Sequence, residues 1–392
     1  MRFNRMELAG SLGDLGALLP LAAGMILING LSAPGLFLAV GLFYIIAGLY
    51  YRVPIAVQPM KVIAAYAVAQ AVPVQEIQAA GLLMALLLLV IGGFNLMAPL
   101  AKLVPKPVVR GVQASTGLLL LIRGLELILG TSLFQSELAE PHLLIQALGP
   151  VPIGIILGVG FAIIALLLMD SKTLPAGLAV VAGGAAVGAA LGAWHSLANV
   201  DPGLYLPELL PFGWPQAATF AVAATAMALP QAPMTLGNAV IANADLSMTY
   251  FPHGERVTPR ALCISMGLAN CLSFVLGGMP MCHGAGGLAA HYRFGARTAG
   301  SNLIIGGLFL VLALVLGPHV LAAVELLPFS VLGVLLGFAG LELCLATLDV
   351  RDRPGLFIIF LMAGLTLATN LAVAFGLGIV FSFAFRHGKI AV

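Results

Sequence analysis

Apolar residues run along this chain in blocks rather than in alternation. Stretches such as Leu82–Val90 and Leu308–Leu316 are continuously apolar, which excludes the two-residue period of a membrane β-barrel. A helix needs about 20 such residues to cross about 30 Å of hydrocarbon. Reading the runs between charged or Pro/Gly-rich breaks gives fourteen segments: 6–29, 33–51, 54–72, 77–99, 106–130, 151–169, 173–193, 214–246, 258–277, 280–294, 298–316, 319–344, 354–369 and 371–386. Two connections, 131–150 and 194–213, are longer than the rest. The second falls between the seventh and eighth segments, at the midpoint of the chain.

Composition narrows the class. The chain has 392 residues, 61% of them hydrophobic and 8% charged, against about 25% charged in a soluble domain. Too few polar residues are present to cover a water-soluble enzyme, and a net charge of +2 supplies no basic face for nucleic acid. An N-terminal stretch holding Asp14 and Pro20 is no cleavable signal core. Cys263, Cys271, Cys282 and Cys344 form no CxxC pair and read as small buried hydrophobes.

Charge placement tests the segment count. All 17 Lys and Arg residues except Lys61 and Arg123 fall at one end of the alternating layout, Lys102, Lys172 and Lys389 among them. Acidic residues alone, including Glu76, Glu137, Glu140, Asp201 and Glu208, occupy the opposite loops. By the positive-inside rule both termini are expected to be cytoplasmic, and the expected location is the cytoplasmic (inner) membrane. A miscount of one segment would have scrambled this alternation.

The halves echo one another. Gly124-Leu-Glu-Leu127 recurs as Gly340-Leu-Glu-Leu343, and Gln58-Pro-Met60 is matched by Met279-Pro-Met281. Leu19-Pro20 has a counterpart in Leu229-Pro230. Seven is odd, so the second half enters the membrane upside down. The expected architecture is an all-α polytopic membrane protein of seven plus seven segments, with residues 1–193 as the first inverted repeat and 214–392 as the second. Such repeats are a transporter signature, with the substrate site near the midplane at their interface.

Two segments break. Val53-Pro-Ile-Ala-Val-Gln-Pro-Met-Lys61 alternates β-branched residues with prolines, so an extended stretch should precede a helix starting at Pro59. Gly277-Gly-Met-Pro-Met-Cys-His-Gly-Ala285 repeats the arrangement, with a helix from about Ala285. Two half-helices starting at mid-membrane aim unpaired N–H groups and positive dipole ends at one point, which is an anion site built from backbone. The competing reading is two kinked, packed helices.

Polar side chains gather around these breaks: Asp14 beside Gly13, Gln58, Lys61, Cys282, His283, Gln231, Thr235 and Asn238. Ionisable residues within a membrane are functional candidates by default. For Lys61 a structural pair with Asp14 competes with an anion-attracting role, and for His283 a hydrogen-bonded packing role competes with ligand binding. Cys282 and His283 have no further ligands near them in sequence, and neither metal nor cofactor is expected. Asp245, Glu126 and Glu342 read as structural or gating residues, with Arg123 able to reach Glu126 one turn on.

At these residues a family resemblance emerges. Glu7-Leu-Ala-Gly-Ser-Leu-Gly-Asp-Leu-Gly16, Val57-Gln-Pro-Met-Lys61, Ala228-Leu-Pro-Gln-Ala-Pro-Met-Thr-Leu-Gly-Asn238, Met279-Pro-Met-Cys-His-Gly-Ala-Gly-Gly-Leu288 and Tyr292-Arg-Phe-Gly295 closely resemble the molybdate transporter family, related to the SulP sulfate permeases. The resemblance implies a SulP/UraA-like fold, with a core domain from segments 1–4 and 8–11 and a gate domain from segments 5–7 and 12–14. It implies an oxyanion site on Gln58, Pro59, Met60, Lys61, Cys282, His283, Gly284 and Gly286, edged by Gly13, Asp14, Gln231 and Thr235, and a homodimer in the lipid bilayer. SulP proteins commonly carry a cytoplasmic STAS domain after the last segment, and none is expected here. Segment eight has Gly237-Asn238 where an Asn-Ser pair would be expected.

The expected function is secondary active uptake of a tetrahedral oxyanion, molybdate before sulfate, by alternating access. Proton symport is the candidate driving force, with Asp14, Asp245 and His283 as available carriers. A nucleobase permease would need an acidic residue where Gln231 stands. An anion channel would need a continuous polar pore. An enzyme would need a metal or nucleophile constellation, and the sequence offers none.

Overall fold

The computed structural model describes residues 1–97, 105–132, 135, 139–171, 174–198, 200–252 and 254–387. Of the charges used above, Lys102, Glu137, Lys172 and Lys389 lie outside the described residues.

The first half contains α1 (Arg5–Leu12), α2 (Leu15–Leu27), α3 (Ala33–Tyr51), strand β1 (Gln58–Pro59), α4 (Lys61–Gln70), α5 (Val74–Gly93) and α6 (Lys106–Leu129). A hairpin of β2 (Ala147–Leu148) and β3 (Val151–Pro152) leads into α7 (Ile153–Leu168) and α8 (Ala176–Ala190). The second half opens with α9 (Ala217–Ala223), α10 (Leu229–Met234) and α11 (Asn243–Tyr250), joined by the π-helical turns Ala224–Ala228 and Thr235–Ala242. Then come α12 (Pro259–Leu276), β4 (Met281–Cys282), α13 (Ala285–Arg293), α14 (Gly300–Val311), α15 (Val320–Glu325), α16 (Phe329–Leu345), α17 (Arg353–Ala368) and α18 (Leu371–Arg386).

Each of the fourteen sequence segments therefore contains helix, but many are not simple rods. Six helices are long and apolar enough to cross a membrane, and α1 with α2 forms a seventh span bent by 43°. The others are shorter, broken at Pro and Gly, or interrupted by π-turns where Pro230 and Pro233 each remove a backbone donor. One boundary moves: the twelfth span starts at Phe329 rather than 319, because Pro328 stands at its N-cap and Val320–Glu325 continues the preceding helical run.

Local chemistry sets the helix ends. Ser32, Thr258, Asp352 and Asn370 cap α3, α12, α17 and α18 through their side chains, satisfying otherwise orphaned first-turn amides. Gly130 and Gly277 end α6 and α12 in left-handed conformation, at φ 71° and 69°, where glycine carries no Cβ penalty. The polar ends sort by loop: Arg110 binds Asp349, Arg256 binds the Tyr50 carbonyl, and Arg293 binds the Asp170 carbonyl. Loops assigned to the basic side thus meet one another.

Two features carry the inverted repeat. Strands β1 and β4 pair antiparallel, Gln58 opposite Cys282 and Pro59 opposite Met281, as a two-fold axis between equivalent strands requires. Helices α6 and α16 cross at glycines. A Cβ on Gly117 would strike the Gly340 carbonyl and one on Gly340 the Gly117 carbonyl, and Gly124 and Gly333 exclude each other in the same reciprocal way. The repeated Gly-Leu-Glu-Leu supplies Gly124 and Gly340 to this crossing, so the sequence echo marks backbone-to-backbone contact on the pseudo-two-fold axis.

Candidate functional site

The helix breaks meet at the centre of the bundle. Extended backbone from Val53 to Met60 and from Gly278 to Gly284 is buried, and its polar groups need partners where no water reaches. Asparagines supply them. Asn302 accepts from Ile55 N at 3.0 Å and donates to Ile55 O at 2.8 Å. Asn270 accepts from Met281 N at 2.8 Å and donates to Met281 O at 2.9 Å. Each mimics a neighbouring strand for one residue. Met60 N closes the pairing on Pro280 O at 2.9 Å.

From this clamp the half-helices α4 and α13 start two residues after Pro59 and three after Cys282. The sequence reading placed the first start at Pro59; that residue belongs to β1 and Met60 is the N-cap. A larger correction concerns the unpaired amides. Gln231 Oε1 accepts from Val62 N at 2.8 Å and Ile63 N at 3.2 Å, so most of the α4 terminus is already capped by protein. Gln231 Nε2 in turn donates to Thr235 Oγ1 at 2.8 Å. Both side chains are about 1% exposed and are spent on each other and on α4. At α13 only Gly287 N and Leu288 N turn back, to the Gly284 carbonyl. Among the described residues the Ala285 and Gly286 amides have no partner.

Gly286 lines a cavity of about 500 Å³, whose polar lining includes Asp14, Gln58, Lys61, Asn238, Arg110 and Arg293. Gly13 and Glu342 also line it. A Cβ on Gly286 would meet nothing within 4 Å, whereas one on Gly284 would strike Gln58 Oε1 and one on Gly287 would approach Asp14 Oδ2. Glycine at 284 and 287 thus makes room for protein, and at 286 leaves space free. Gln58 Nε2 donates to Asp14 Oδ1 at 2.6 Å. Asp14 is therefore held by Gln58, and Lys61 makes no direct ion pair among the described residues, so the cation stays available to the cavity.

Other expected site residues lie elsewhere. His283 is fully buried, with Nδ1 against the Ala56 carbonyl at 2.8 Å and Nε2 against Ser265 Oγ at 3.1 Å. Its ring packs on Phe43 and Tyr51, so both nitrogens are engaged away from the cavity. Cys282 points its thiol toward the Pro59 carbonyl at 3.7 Å. Met60 is fully buried and Pro59 is paired into β1. Asp245 sits exposed on α11. Glu126 pairs with Arg123 at 2.8 Å, and Arg123 also binds the Ala69 carbonyl at the far end of α4. Sequence reasoning missed Asn270, Asn302 and Gln78, whose Nε2 holds the Gly278 carbonyl at 2.7 Å. The usable signal was an amide side chain alone in an apolar helix.

The fold is that of a polytopic helical membrane protein with a central cavity. The transmembrane domain of a cyanobacterium bicarbonate transporter superposes with a TM-score of 0.62 at 19% identity, covering 97% of this chain and 98% of its own. Murine solute carrier 26 family member A9, an anion transporter in the inward-facing state, gives 0.69 at 15% identity over 100% of this chain and 69% of its own. Residues 6–120 and 223–343 match the family described as molybdate transporter of MFS superfamily. Molybdate transporters 1 and 2 of Arabidopsis thaliana are each 31% identical, over 96% and 95% of this chain and 87% and 86% of their own. Molybdate transporter 1 of Chlamydomonas reinhardtii is 30% identical over 95% of this chain and 90% of its own. The chain belongs to the molybdate transporter family.

Proposed function

We propose that this protein carries molybdate across its membrane, binding the anion where the open start of α13 meets Lys61 and Gln58. The observation that carries the reading is the uncapped start of α13, with the Ala285 and Gly286 amides unpartnered among the described residues and Gly286 lining a cavity that Lys61 also lines. Backbone N–H groups at a helix start, backed by the helix dipole, suit a tetrahedral dianion. Full-length similarity to three molybdate transporters supports molybdate as that anion.

Transport follows by alternating access, segments 1–4 and 8–11 moving as a core against a gate of segments 5–7 and 12–14. The broken helices, all in the core set, carry the site with them. The basic end of the bundle is cytoplasmic in this reading, and Arg110 and Arg293 line the cavity on that side. Import of a dianion against an inside-negative potential costs about 4.6 kcal/mol at about 100 mV, taking about 2.3 per charge. Proton symport offsets that cost, with Asp14, whose carboxylate accepts from Gln58, as the carrier. Asp245, on the surface, and His283, with both nitrogens engaged, are less suited to it. A homodimer in the cytoplasmic membrane completes the proposal.

Purified protein in liposomes should take up labelled molybdate saturably, with tungstate competing strongly and sulfate and selenate weakly. Sulfate competing as well as molybdate would favour a general sulfate carrier, and absence of molybdate uptake would overturn the reading.

A further inference from the structure

Two buried oxygen atoms beside the cavity have no donor among the described residues: Asp14 Oδ2 and Gln58 Oε1. Asp14 is 3% exposed and Gln58 1%, and polar atoms buried to this degree normally have a partner. Both residues line the cavity. Both press on the first turn of α13, Gln58 Oε1 against Gly284 and Asp14 Oδ2 against Gly287. An oxyanion offers only acceptors, so a bound ligand would leave both orphans unsatisfied and would be repelled by them.

The bond between the two residues explains the arrangement. A carboxylate only accepts, so an ionised Asp14 forces the Gln58 amide to turn its N–H toward Oδ1, which is the geometry observed at 2.6 Å. The carbonyl oxygen is thereby left facing α13. A protonated Asp14 is a donor and reverses the preference.

We propose that Gln58 is the positioning residue that couples proton uptake to oxyanion binding, its amide turning over when Asp14 is protonated. This rests on the reading of the cavity as an oxyanion site. A proton from cavity water forms an O–H bond on the Asp14 carboxyl, and that O–H donates to Gln58 Oε1. The Gln58 NH₂ then occupies the place beside Gly284 where the carbonyl oxygen was, next to the Ala285 and Gly286 amides, and donates to the anion. Loss of the proton to water on the opposite side restores the first arrangement and withdraws the donor. One proton is taken up and one released per cycle, and no electrons move. Amide nitrogen and oxygen are close in size, so the turn needs no repacking.

The groups around Asp14 do not substitute for it. Lys61 on α4, Tyr44 on α3 and Cys282 on β4 are the titratable groups in electrostatic contact with it. Tyr44 donates to the Val57 carbonyl at 3.2 Å and Cys282 to that of Pro59. Arg110, Arg293 and Glu342 line the same cavity, with Arg110 bound to Asp349 and Arg293 to the Asp170 and Ser171 carbonyls.

Calorimetric titration of purified protein with molybdate, between about pH 6 and about pH 8, tests the relay. Wild type should bind about tenfold tighter at the lower pH, within the usual range for coupled sites. Asp14→Asn cannot titrate, so its affinity should be the same at both values. Gln58→Leu should bind more weakly at both, with the pH slope gone. Thermal unfolding in detergent establishes that each variant is folded, and either variant alone decides. A Gln58→Leu protein that keeps the wild-type slope, a folded Asp14→Asn protein that keeps it, or a wild type that binds without pH dependence would overturn the relay. Wild type that binds no molybdate at either pH would instead remove the oxyanion site itself.

Discussion

The two half-helix starts are built on one plan and finished differently. Both follow a two-residue strand, an asparagine holds the extended backbone at each (Ile55 before β1, Met281 in β4), and the strands pair across the pseudo-two-fold. At α4 the side chain of Gln231 takes the Val62 and Ile63 amides, and Lys61 stands in the first turn. At α13 no side chain caps the start, and Gly286 leaves open space. The difference teaches that the repeat supplies symmetry to the scaffold but not to the site. One terminus is spent on structure and contributes a side-chain cation. The other has no side-chain cap on its backbone donors.

Substitutions at the two starts should separate these roles. The largest effect is expected for Gly284→Ala, whose Cβ would overlap the Gln58 amide. Overpacking of this kind costs about 1–3 kcal/mol, and molybdate binding should be lost to calorimetry while Gly286→Ala, with free space around it, retains measurable binding. Next is Ala285→Pro. Gly284 already has φ −67° and ψ 131°, as a residue before proline prefers, so the substitution removes one amide donor from a compatible backbone. Loss of one hydrogen bond to a charged ligand, about 1.5–3 kcal/mol, should weaken molybdate binding by roughly tenfold or more with little change in melting temperature. Gln231→Leu should do the opposite. Uncapping Val62 and Ile63 should cost about 1–3 kcal/mol of stability, read as a lower melting temperature, with a smaller change in affinity. The smallest effect on affinity is expected for His283→Ala, which empties a packed site between α3 and α12. Its melting temperature should fall, and a loss of affinity matching Ala285→Pro would place the imidazole in the site after all.

Much of the scaffold was legible because breaks in a membrane chain are chemically conspicuous. Pro54, Pro59 and Pro280 forbid regular helix, and the glycines from 284 to 287 permit close approach, so strands and half-helices could be located within a residue or two. Gln58, Lys61 and Asp14 stood out as polar residues in apolar surroundings, and all three line the cavity. The same signal drew in Gln231, Thr235 and His283, which do not line the cavity. Gln231 and His283 are polar and central, yet their partners, Val62, Ala56 and Ser265, lie elsewhere in the sequence and are set by packing, while Thr235 accepts from Gln231 one turn away. Composition can flag a buried polar atom but cannot say whether protein or ligand satisfies it. Asn270 and Asn302 were passed over for the converse reason: a lone amide in an apolar helix gives no hint that backbone more than ten residues distant needs it. Arg110 and Arg293, counted among topology-setting loop charges, line the cavity because α6 and α13 end beside it.

The central claim is that backbone donors at the start of α13 hold the transported anion. The most direct measurement is initial uptake of labelled molybdate by proteoliposomes containing wild type or Ala285→Pro, with protein orientation and amount matched. The account predicts saturable wild-type uptake and a variant whose half-saturating concentration rises by roughly tenfold or more for the loss of one charge-assisted hydrogen bond. A folded Ala285→Pro protein that takes up molybdate with wild-type kinetics would contradict it.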